Sequence, residues 1–278
     1  MIPPIASRFV AGEHMAAAVD RAEQLDARDI HAIVNLLGEH HGDHAPVVED
    51  TETYLELLES IDRASLDASI TVKPTQIGLS IDESLFEEQL DAIVEAARER
   101  ELVVWIDMED SSTTDATLVG FERAAERHPN HVGVCLQANL RRTAGDVADL
   151  AGVPGRIRLV KGAYREPIPV AYRDPDRVEA AFREVLGQLV RNHDGEIAVG
   201  THDPALIAHA KQLQAVHDRS IQFQLLMGVR TDLRDELAAD YDVAEYVPYG
   251  ERWAAYFSRR VLERSENAKF AARAVLGR

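Results

Sequence analysis

Cysteine and lysine are scarce in this chain of 278 residues. Cys135 is the only cysteine, so the chain can form no internal disulfide bond and no zinc site built from several cysteines. The lysines are Lys73, Lys161, Lys211 and Lys269, and the other basic residues are arginines. A lysine at a special position in this chain is therefore more informative than it would be in an average protein.

Long apolar runs and flexible linkers are missing as well. No apolar run approaches the length of about 18 residues that a membrane-spanning helix needs. The chain does not open with a basic segment followed by an apolar one, as a secretion signal would. No stretch rich in proline, glycine and serine divides the chain. We expect a single domain over residues 1–278, in a soluble cytoplasmic protein that at most contacts a membrane from the side.

Positive charge is in short supply. The chain has 48 acidic and 30 basic residues, which gives a formal net charge of −18. Nucleic acid binding requires a basic surface, so we predict no nucleic acid partner. An acidic, lysine-poor surface suits a cytoplasm rich in salt, where screening reduces self-repulsion. A compositional bias unrelated to salt explains the composition equally well.

Eight short apolar runs, rich in β-branched residues, alternate with helical patterns such as residues 84–100 and 176–193. Near-continuous apolar strands between helices are typical of a parallel sheet covered on both faces. Eight such units favour a (β/α)8 barrel, with an extra N-terminal helix at about residues 10–28. A doubly wound open sheet is the alternative. The predicted strands are residues 30–37, 68–73, 102–108, 131–137, 156–162, 196–202, 220–226 and 243–250.

Polar side chains stand at the carboxyl ends of all eight predicted strands, where barrels of this type carry their chemistry. One such residue is commonly an ordinary solvated loop group, but eight together indicate a polar cleft. The residues are Glu39, Lys73, Asp107 with Met108, Gln137, Arg158 with Lys161, Thr201 with His202, Gln224, and Tyr246 with Tyr249.

Lys73 and Lys161 each allow two interpretations. Pro74 keeps Lys73 extended at the mouth of the barrel, and the motif VKGAY places Lys161 at the end of the fifth strand. Each lysine could be a Schiff-base nucleophile or a fixed cation for a carboxylate. Gly162 either lets a ligand approach the backbone closely or is a simple turn glycine.

Motifs for metals and nucleotides are weak or missing. The segment GEHHGDH, residues 38–44, has three histidines and two acids but lacks the helical framing of an HExxH zinc site. We predict no metal site there and interpret the segment as a solvated loop, or as an acidic lid that pairs with an arginine. No GxGxxG motif follows a strand and no GxxxxGK[ST] motif occurs, so a Rossmann site or P-loop is unsupported.

A polar stripe marks the helix predicted from Glu251 onward. Tyr256, Arg259, Arg260 and Glu263 are spaced i, i+3, i+4 and i+7, so they share one helical face. A face of intrachain salt bridges is one interpretation. The position after the eighth strand favours another, in which the arginines bind a carboxylate with their fork geometry and the tyrosine supplies a flat wall. The stripe then predicts the carboxylate clamp of a small amino or imino acid.

With these residues placed, the chain resembles the proline dehydrogenase family, flavoenzymes on a distorted (β/α)8 barrel whose last helix lies over the active site. The resemblance runs from about Arg8 to Asn267. Its motifs, which agree in order and spacing, are NLLGE, TVKPTQIGLSID, WIDMEDS, VCLQANLRRT, RLVKGAY, GTHD, FQLLMG and YVPYGERWAAYFSRRVLE. The departures are Arg264 after Glu263, Arg165 after VKGAY, and a single threonine in GTHD. They concern cofactor contacts and leave the substrate clamp unchanged.

The resemblance implies a role for each matching residue. Asp107 would sit at the active site and organise the cationic groups of the substrate, and Arg158 would lie near the reactive edge of the flavin. Glu39 would form a gating ion pair with Arg259 when substrate is absent. The substrate-binding residues would be Lys73, Ala163, Leu226, Tyr246, Tyr256, Arg259 and Arg260. The FAD-binding residues would be Met108, Gln137, Val160, Lys161, Gly162, Ala163, Tyr164, Thr201, His202, Gln224 and Glu263.

The resemblance also implies the reaction. L-Proline would be oxidised to Δ1-pyrroline-5-carboxylate by hydride transfer from C5 to N5 of FAD. A quinone would reoxidise the flavin in a peripheral encounter with the membrane, and a separate Δ1-pyrroline-5-carboxylate dehydrogenase would consume the product. The sequence identifies no base for the amine proton.

Three alternatives stay open. The first is 4-hydroxyproline as substrate, although Tyr256 should crowd a 4-hydroxyl group. The second is a Schiff-base aldolase on the same barrel that uses Lys73 or Lys161. The third is a non-catalytic amino-acid sensor, which the full set of polar residues disfavours.

Overall fold

A closed barrel of eight parallel strands in sequential order forms the centre of the molecule. The computed structural model describes residues 2–3 and 6–258. The strands are β1 His31–Leu36, β2 Ala68–Val72, β3 Val104–Ile106, β4 Val132–Gln137, β5 Arg156–Val160, β6 Ile197–Gly200, β7 Ile221–Leu226 and β8 Val243–Tyr249. All eight overlap the predicted strands, so the prediction of a (β/α)8 barrel is confirmed.

Helices separate the strands and cover the outside of the barrel. They are α1 Met15–Asp26, α2 His44–Arg63, α3 Glu83–Arg98, α4 Thr114–Arg127, α5 Thr143–Asp149, α6 Pro175–Asn192, α7 Pro204–His217 and α8 Thr231–Ala238. Helix α1 is the predicted extra N-terminal helix. Residues 253–258 are also helical and carry the chain to the limit of its described part. The helix predicted from Glu251 onward therefore begins as expected.

The barrel closes between its first and last strands. β1 pairs with β8 in parallel over its whole length, from His31 opposite Ala244 to Leu36 opposite Tyr249. An open doubly wound sheet would leave these two strands unpaired, so that alternative is wrong. Closure leaves no exposed strand edge in the barrel and brings residues from both ends of the sequence to one mouth.

Aspartates begin the helices that follow β2, β5 and β6. The Asp82 side chain accepts hydrogen bonds from the backbone of Ser84 at 2.9 Å and Leu85 at 3.3 Å, which starts α3. Asp174 and Asp203 do the same for α6 and α7, and each is followed by proline in the first helical turn. Such caps satisfy backbone N–H groups that have no partner inside the helix.

Two layers of apolar side chains hold the barrel together. The larger layer lies between the strands and the helices and contains residues such as Phe86, Phe121 and Phe182. Burying a side chain of this size stabilises the fold by about 1.5–3 kcal/mol. A small inner cluster fills the barrel itself, formed by Ile33, Val103, Trp105, Ala198 and Ala244 with Tyr246 packed against it.

A buried ion pair network attaches α1 and α8 to the last strand. Glu245 is 1% exposed and faces outward from β8. Its carboxylate accepts two hydrogen bonds from Arg21 of α1, at 2.8 and 2.7 Å, and one from Arg234 of α8. A buried carboxylate needs such partners. The network therefore fixes the extra N-terminal helix against the strand that closes the barrel.

Among the described residues, every helix is too short or too polar to cross a lipid bilayer. The assignment of residues 1–278 to one domain includes positions outside the described chain and stays a prediction.

Candidate active site

Asp107 is the centre of a charged cluster at the carboxyl end of the barrel. Its Oδ1 atom accepts a hydrogen bond from the Thr71 hydroxyl at 3.0 Å and one from Arg158. Its Oδ2 atom accepts from the Tyr246 hydroxyl at 2.8 Å and faces Lys73 Nζ at 3.4 Å. Side chains on β2, β5 and β8, together with Lys73 just after β2, thus converge on a carboxylate that follows β3.

Arg158 is held on several sides at once. Its guanidinium is 4% exposed and pairs with Asp107, while a second nitrogen donates to Gln224 Oε1 at 3.1 Å. The guanidinium carbon lies 5.1 Å from the centre of the Trp105 ring and 6.0 Å from that of Tyr246. A cation above an aromatic face is stabilised by the ring quadrupole. Arg158 is therefore a fixed positive charge in the floor of the site.

The protonation states of the cluster follow from its contacts. Burial opposes ionisation of Asp107, but the charges of Arg158 and Lys73 and the hydrogen bonds from Tyr246 and Thr71 outweigh burial and lower its pKa. Burial, together with the nearby charge of Asp107, raises the pKa of Tyr246 well above its usual value. Asp107 is thus an anion and Tyr246 a neutral donor at physiological pH.

A small pocket opens above this cluster. It is lined by Leu37, Gly38, Glu39, Lys73, Arg252, Ala255 and Tyr256. Tyr256 is 7% exposed and packs with Phe9, Val10 and Leu37. The structure therefore brings Glu39, Lys73 and Tyr256 to one opening, next to Asp107. Arg259, Arg260 and Glu263 lie outside the described residues.

Most of the residues predicted to bind FAD lie on the rim formed by the carboxyl ends of β4, β5 and β6, while Met108 follows β3, Gln224 lies on β7 and Glu263 is outside the described residues. Lys161 forms an ion pair with Asp203 at 2.7 Å. Gln137 accepts a hydrogen bond from the backbone N–H of Ala163 at 3.3 Å. This contact connects a predicted FAD-binding residue to one that is predicted to contact both FAD and substrate. Gly162 has a φ of +112°, and a Cβ atom there would fall 2.1 Å from Asn139 Oδ1. Only glycine fits this close turn.

The rim continues at β6 and β7. The Nε2 atom of His202 accepts a hydrogen bond from the backbone N–H of Leu226 at 3.1 Å, so Nδ1 carries the proton of the neutral ring. The Thr201 hydroxyl accepts from the backbone N–H of Asp203 at 3.2 Å. Met108 is buried in the outer core, and Val160 and Tyr164 are partly exposed beside these groups.

Two expectations about the mouth are wrong in part. Tyr249 was grouped with Tyr246 at the cleft, but side chains alternate along β8, so Tyr249 faces outward and is buried in the layer beneath the helices. The segment GEHHGDH is not simply solvated. His41 is 4% exposed and its Nε2 pairs with Asp50 of α2 at 2.6 Å.

Oxygen and nitrogen atoms of Glu39, His40 and Glu109 come within 4.8 Å of one another, which is close enough to share a cation. Both oxygens of Glu109, however, already accept hydrogen bonds from Thr75, at 2.8 Å from the backbone N–H and 2.7 Å from the hydroxyl. Burial raises the pKa of Glu109. These contacts account for the position of Glu109 without an ion.

A cavity of about 510 Å³ lies at the opposite end of the barrel. Its charged residues pair with one another, His31 with Asp67 at 2.8 Å and Arg156 with Glu196. In barrels of this type, the residues at the amino-terminal end of the strands serve stability rather than chemistry. The Asp107 cluster at the other end is therefore the candidate active site.

Sequence reasoning missed several residues of the site. Trp105 stands two positions before Asp107 and therefore on the same inner face of β3, a signal that alternation along a strand provides. Glu166 is 6% exposed and accepts hydrogen bonds from the backbone N–H of Ser111 at 2.8 Å and its hydroxyl at 2.6 Å, which connects two loops of the rim. No local pattern indicates this second contact, since 55 residues separate its partners.

A closed (β/α)8 barrel with a fixed anion–cation cluster at its carboxyl mouth defines a barrel enzyme that acts on a small charged molecule. The family model described as "Proline dehydrogenase" matches residues 18–273. The chain belongs to the proline dehydrogenase family and is an oxidoreductase that acts on proline in proline catabolism.

Curated relatives agree with this family. Proline dehydrogenase 1 of Bacillus subtilis (strain 168) is 34% identical over 275 residues, which cover 98% of this chain and 90% of the relative. Proline dehydrogenase of Deinococcus radiodurans is 35% identical over 282 residues, with the same two coverages.

Solved structures show the same fold. The crystal structure of proline utilization A (PutA) from Bdellovibrio bacteriovorus, a protein inactivated by N-propargylglycine, superposes with a TM-score of 0.87 at 22% identity. PutA from Corynebacterium freiburgense superposes with a TM-score of 0.81 at 20% identity. The alignments cover 93% and 96% of this chain but only 32% of each PutA chain. The likeness to PutA therefore concerns the barrel alone.

Proposed function

We propose that the protein oxidises L-proline to Δ1-pyrroline-5-carboxylate with FAD as its bound cofactor and a quinone as its electron acceptor. The cluster of Asp107, Arg158, Lys73 and Tyr246 supports this proposal most directly. Lys73 lines the small pocket and connects it to the cluster, so fixed charges and a neutral hydroxyl donor lie beside that pocket, which suits a zwitterionic amino acid.

The rim fits a flavin dinucleotide. The Lys161 ammonium, the Nδ1–H of His202 and the Thr201 hydroxyl are donors suited to phosphates and ring carbonyls. The Gln224 amide nitrogen donates one hydrogen to Gln222 Oε1 at 2.8 Å and keeps a second one for a ligand. A Cβ atom on Gly162 would collide with the Asn139 amide, whose Oδ1 oxygen is buried and has no hydrogen-bond partner among the described residues. The hydride acceptor of the reaction is supplied by FAD when it is bound.

The side chains of this chain bind and orient the substrate. Tyr256 forms a wall of the pocket, and its close packing against Phe9 and Leu37 limits water at the opening. Tyr246 belongs to the adjoining cluster, where its hydroxyl donates to Asp107. Asp107 stays ionised and Tyr246 stays protonated, so both keep their charge and do not carry the amine proton of proline. With FAD bound on this rim, the fixed positive charge of Arg158 would stabilise negative charge that develops during reduction.

The aldolase alternative is disfavoured by the ion pairs of both lysines. A Schiff-base nucleophile must be a neutral amine. Lys73 faces the Asp107 carboxylate at 3.4 Å, and Lys161 faces the Asp203 carboxylate at 2.7 Å. Each lysine is thus engaged in an ion pair, the arrangement that suits a fixed cation for carboxylates and phosphates. Borohydride should therefore trap no adduct between the protein and a carbonyl compound.

The test of the proposed function is a visible spectrum of the protein, purified in high salt, before and after anaerobic addition of L-proline. We expect a flavin spectrum that L-proline bleaches and trans-4-hydroxy-L-proline bleaches more slowly. A flavin that stays oxidised with L-proline would contradict the substrate. A protein that contains no flavin and binds no added FAD would contradict the cofactor.

The substrate clamp is tested at Arg259 and Arg260. Replacing either arginine by alanine should raise KM for proline about tenfold or more, since a charge-assisted hydrogen bond to the carboxylate is lost. The flavin should stay bound. Arg123→Ala is the control, because Arg123 lies on the surface of α4 and pairs with Glu87. A normal KM in either clamp variant would show that the clamp interpretation is wrong.

We also propose that the quinone is met in a peripheral encounter with a membrane, and that a separate dehydrogenase consumes Δ1-pyrroline-5-carboxylate. The product is a cyclic imine in equilibrium with an aldehyde, so its further oxidation requires a second active site. Coupled turnover with a membrane-soluble quinone in vesicles, compared with a water-soluble quinone in their absence, tests the first point.

A further inference from the structure

Asn139 carries a buried amide oxygen that has no partner in the described part of the chain, next to the predicted cofactor site. The residue follows β4 and is 7% exposed, and its Oδ1 atom has no hydrogen-bond partner among the described residues. Its backbone, by contrast, is fully used. The Asn139 N–H donates to the Lys161 carbonyl at 2.9 Å, and the Asn139 carbonyl accepts from Tyr172 N–H at 2.8 Å. The backbone therefore anchors a side chain whose polar end is unpaired.

The amide faces the one segment that was expected to contact the flavin from β5. A Cβ atom built on Gly162 would fall 2.1 Å from Asn139 Oδ1 and 2.7 Å from Nδ2, so the amide lies directly against the glycine backbone. Gln137, two residues earlier, contacts the same segment through Ala163 N–H at 3.3 Å. Asn139 thus continues a row of amide side chains along this rim.

A buried acceptor without a partner lowers stability, because the group has lost its hydrogen bonds to water. An apolar side chain of similar size would fill the same space in the free protein without this cost. What distinguishes Asn139 from other buried groups of this kind is its position against the Gly162 segment, where a bound ligand would complete its hydrogen bonding. We propose that Asn139 is a cofactor-binding residue whose amide hydrogen-bonds to bound FAD. The inference rests on the proposed function, since it requires FAD on this rim.

The experiment is a titration of the flavin-free protein with FAD, followed by quenching of flavin fluorescence, together with thermal unfolding of the flavin-free protein. The variants are Asn139→Leu, of similar size but apolar, and Asn139→Ala. Thr51→Val is the matched control, because the Thr51 hydroxyl of α2 is also buried with no partner among the described residues but belongs to no predicted cofactor contact.

We expect both Asn139 variants to bind FAD about tenfold more weakly, the loss for one hydrogen bond. The flavin-free Asn139→Leu protein should unfold at the same temperature as the native protein or higher. Thr51→Val should bind FAD with the native Kd. Should both variants fail to fold, Asn139→Ser is titrated in their place. It should still bind FAD, but more weakly than the native protein.

Native affinity for FAD in the Asn139 variants would overturn the inference and leave the proposed function intact. A lower unfolding temperature of flavin-free Asn139→Leu with unchanged FAD binding would assign Asn139 to the support of the Gly162 turn. Failure of the native protein to bind FAD would instead overturn the proposed function. The native titration therefore separates the two failures.

Discussion

Asp107 shows how a single carboxylate organises the mouth of this barrel. Its oxygens accept hydrogen bonds from side chains of three strands, and the pair with Arg158 is largely buried. The sequence predicted an active-site role for Asp107 from its place after the third strand. The partners themselves are separated from it by as many as 139 residues, so only the closed barrel identifies them.

Asp107→Asn should destabilise the protein at neutral pH. The amide keeps the size of the side chain but leaves the charge of Arg158 unpaired, and breaking a buried pair costs about 3–5 kcal/mol. Differential scanning calorimetry should show a clearly lower Tm. Asp115→Asn is the control, because Asp115 pairs with Arg142 but is 83% exposed. Equal Tm values for the two variants would contradict a stabilising role of the cluster.

The same substitution predicts a pH dependence. The pKa of Asp107 is lowered in the folded protein, so its ionised form favours folding. This contribution is fully present above the unfolded pKa of about 3.9 and is lost as the pH falls through the folded pKa. The difference in unfolding free energy between native and Asp107→Asn should therefore shrink below pH of about 4. Urea unfolding at several pH values measures it, and a difference independent of pH would contradict the lowered pKa.

At the scale of elements, β3 and β4 fit together because a tryptophan on β3 lies opposite a glycine on β4. Trp105 stands opposite Gly133 in the register of the two strands. A Cβ atom on Gly133 would fall 2.6 Å from the Trp105 ring. The absence of a side chain on β4 thus gives the indole the space from which it supports Arg158.

Gly133→Ala should therefore displace Trp105 and lower both stability and activity. Overpacking of this kind typically costs about 1–3 kcal/mol. The loss in kcat/KM for proline should exceed that of Gly145→Ala, a glycine of α5 with nothing within 4 Å of an added Cβ. Gly145→Ala should be neutral or slightly stabilising, because alanine favours the helix.

A double variant decides whether Trp105 transmits the effect. Trp105→Phe creates space, so Gly133→Ala should cost less in that background than in the native protein, as expected for residues in contact. Unfolding free energies and kcat/KM for the four proteins measure the coupling. Strictly additive effects would show that the effect of Gly133→Ala is not transmitted through Trp105.

At the scale of the whole molecule, the net charge of −18 opposes the compact state. Many acids are paired on the surface, as in the pairs of α3 with α4 between Glu87 and Arg123 and between Asp91 and Arg127. Acidic residues nevertheless outnumber basic ones by 48 to 30, so the unpaired acidic side chains repel one another.

Salt should therefore stabilise the protein. The Debye length falls from about 10 Å at 0.1 M salt to about 3 Å at 1 M, which screens long-range repulsion. We expect Tm to rise over this range, by similar amounts in NaCl and KCl because screening depends on ionic strength. Exposed ion pairs contribute little, so their weakening should not reverse the trend. A Tm that stays constant or falls would show that net charge does not limit stability.

The amino-acid sequence by itself determined the order of strands and helices, the barrel, and most polar groups at its mouth. These features follow from local periodicity and from the rule that parallel strands end on one side. The roles predicted for Arg259, Arg260 and Glu263 remain predictions, since these residues lie outside the described chain.

Only the tertiary structure decided which of those polar groups meet. It separated Tyr246, which faces Asp107, from Tyr249, which faces the helices. It also placed the Trp105 ring under Arg158 and the Asn139 amide against Gly162. The physical reason is that closure of a barrel fixes the stagger between strands. That stagger sets which inward side chains share a layer, and no local pattern in the sequence contains it.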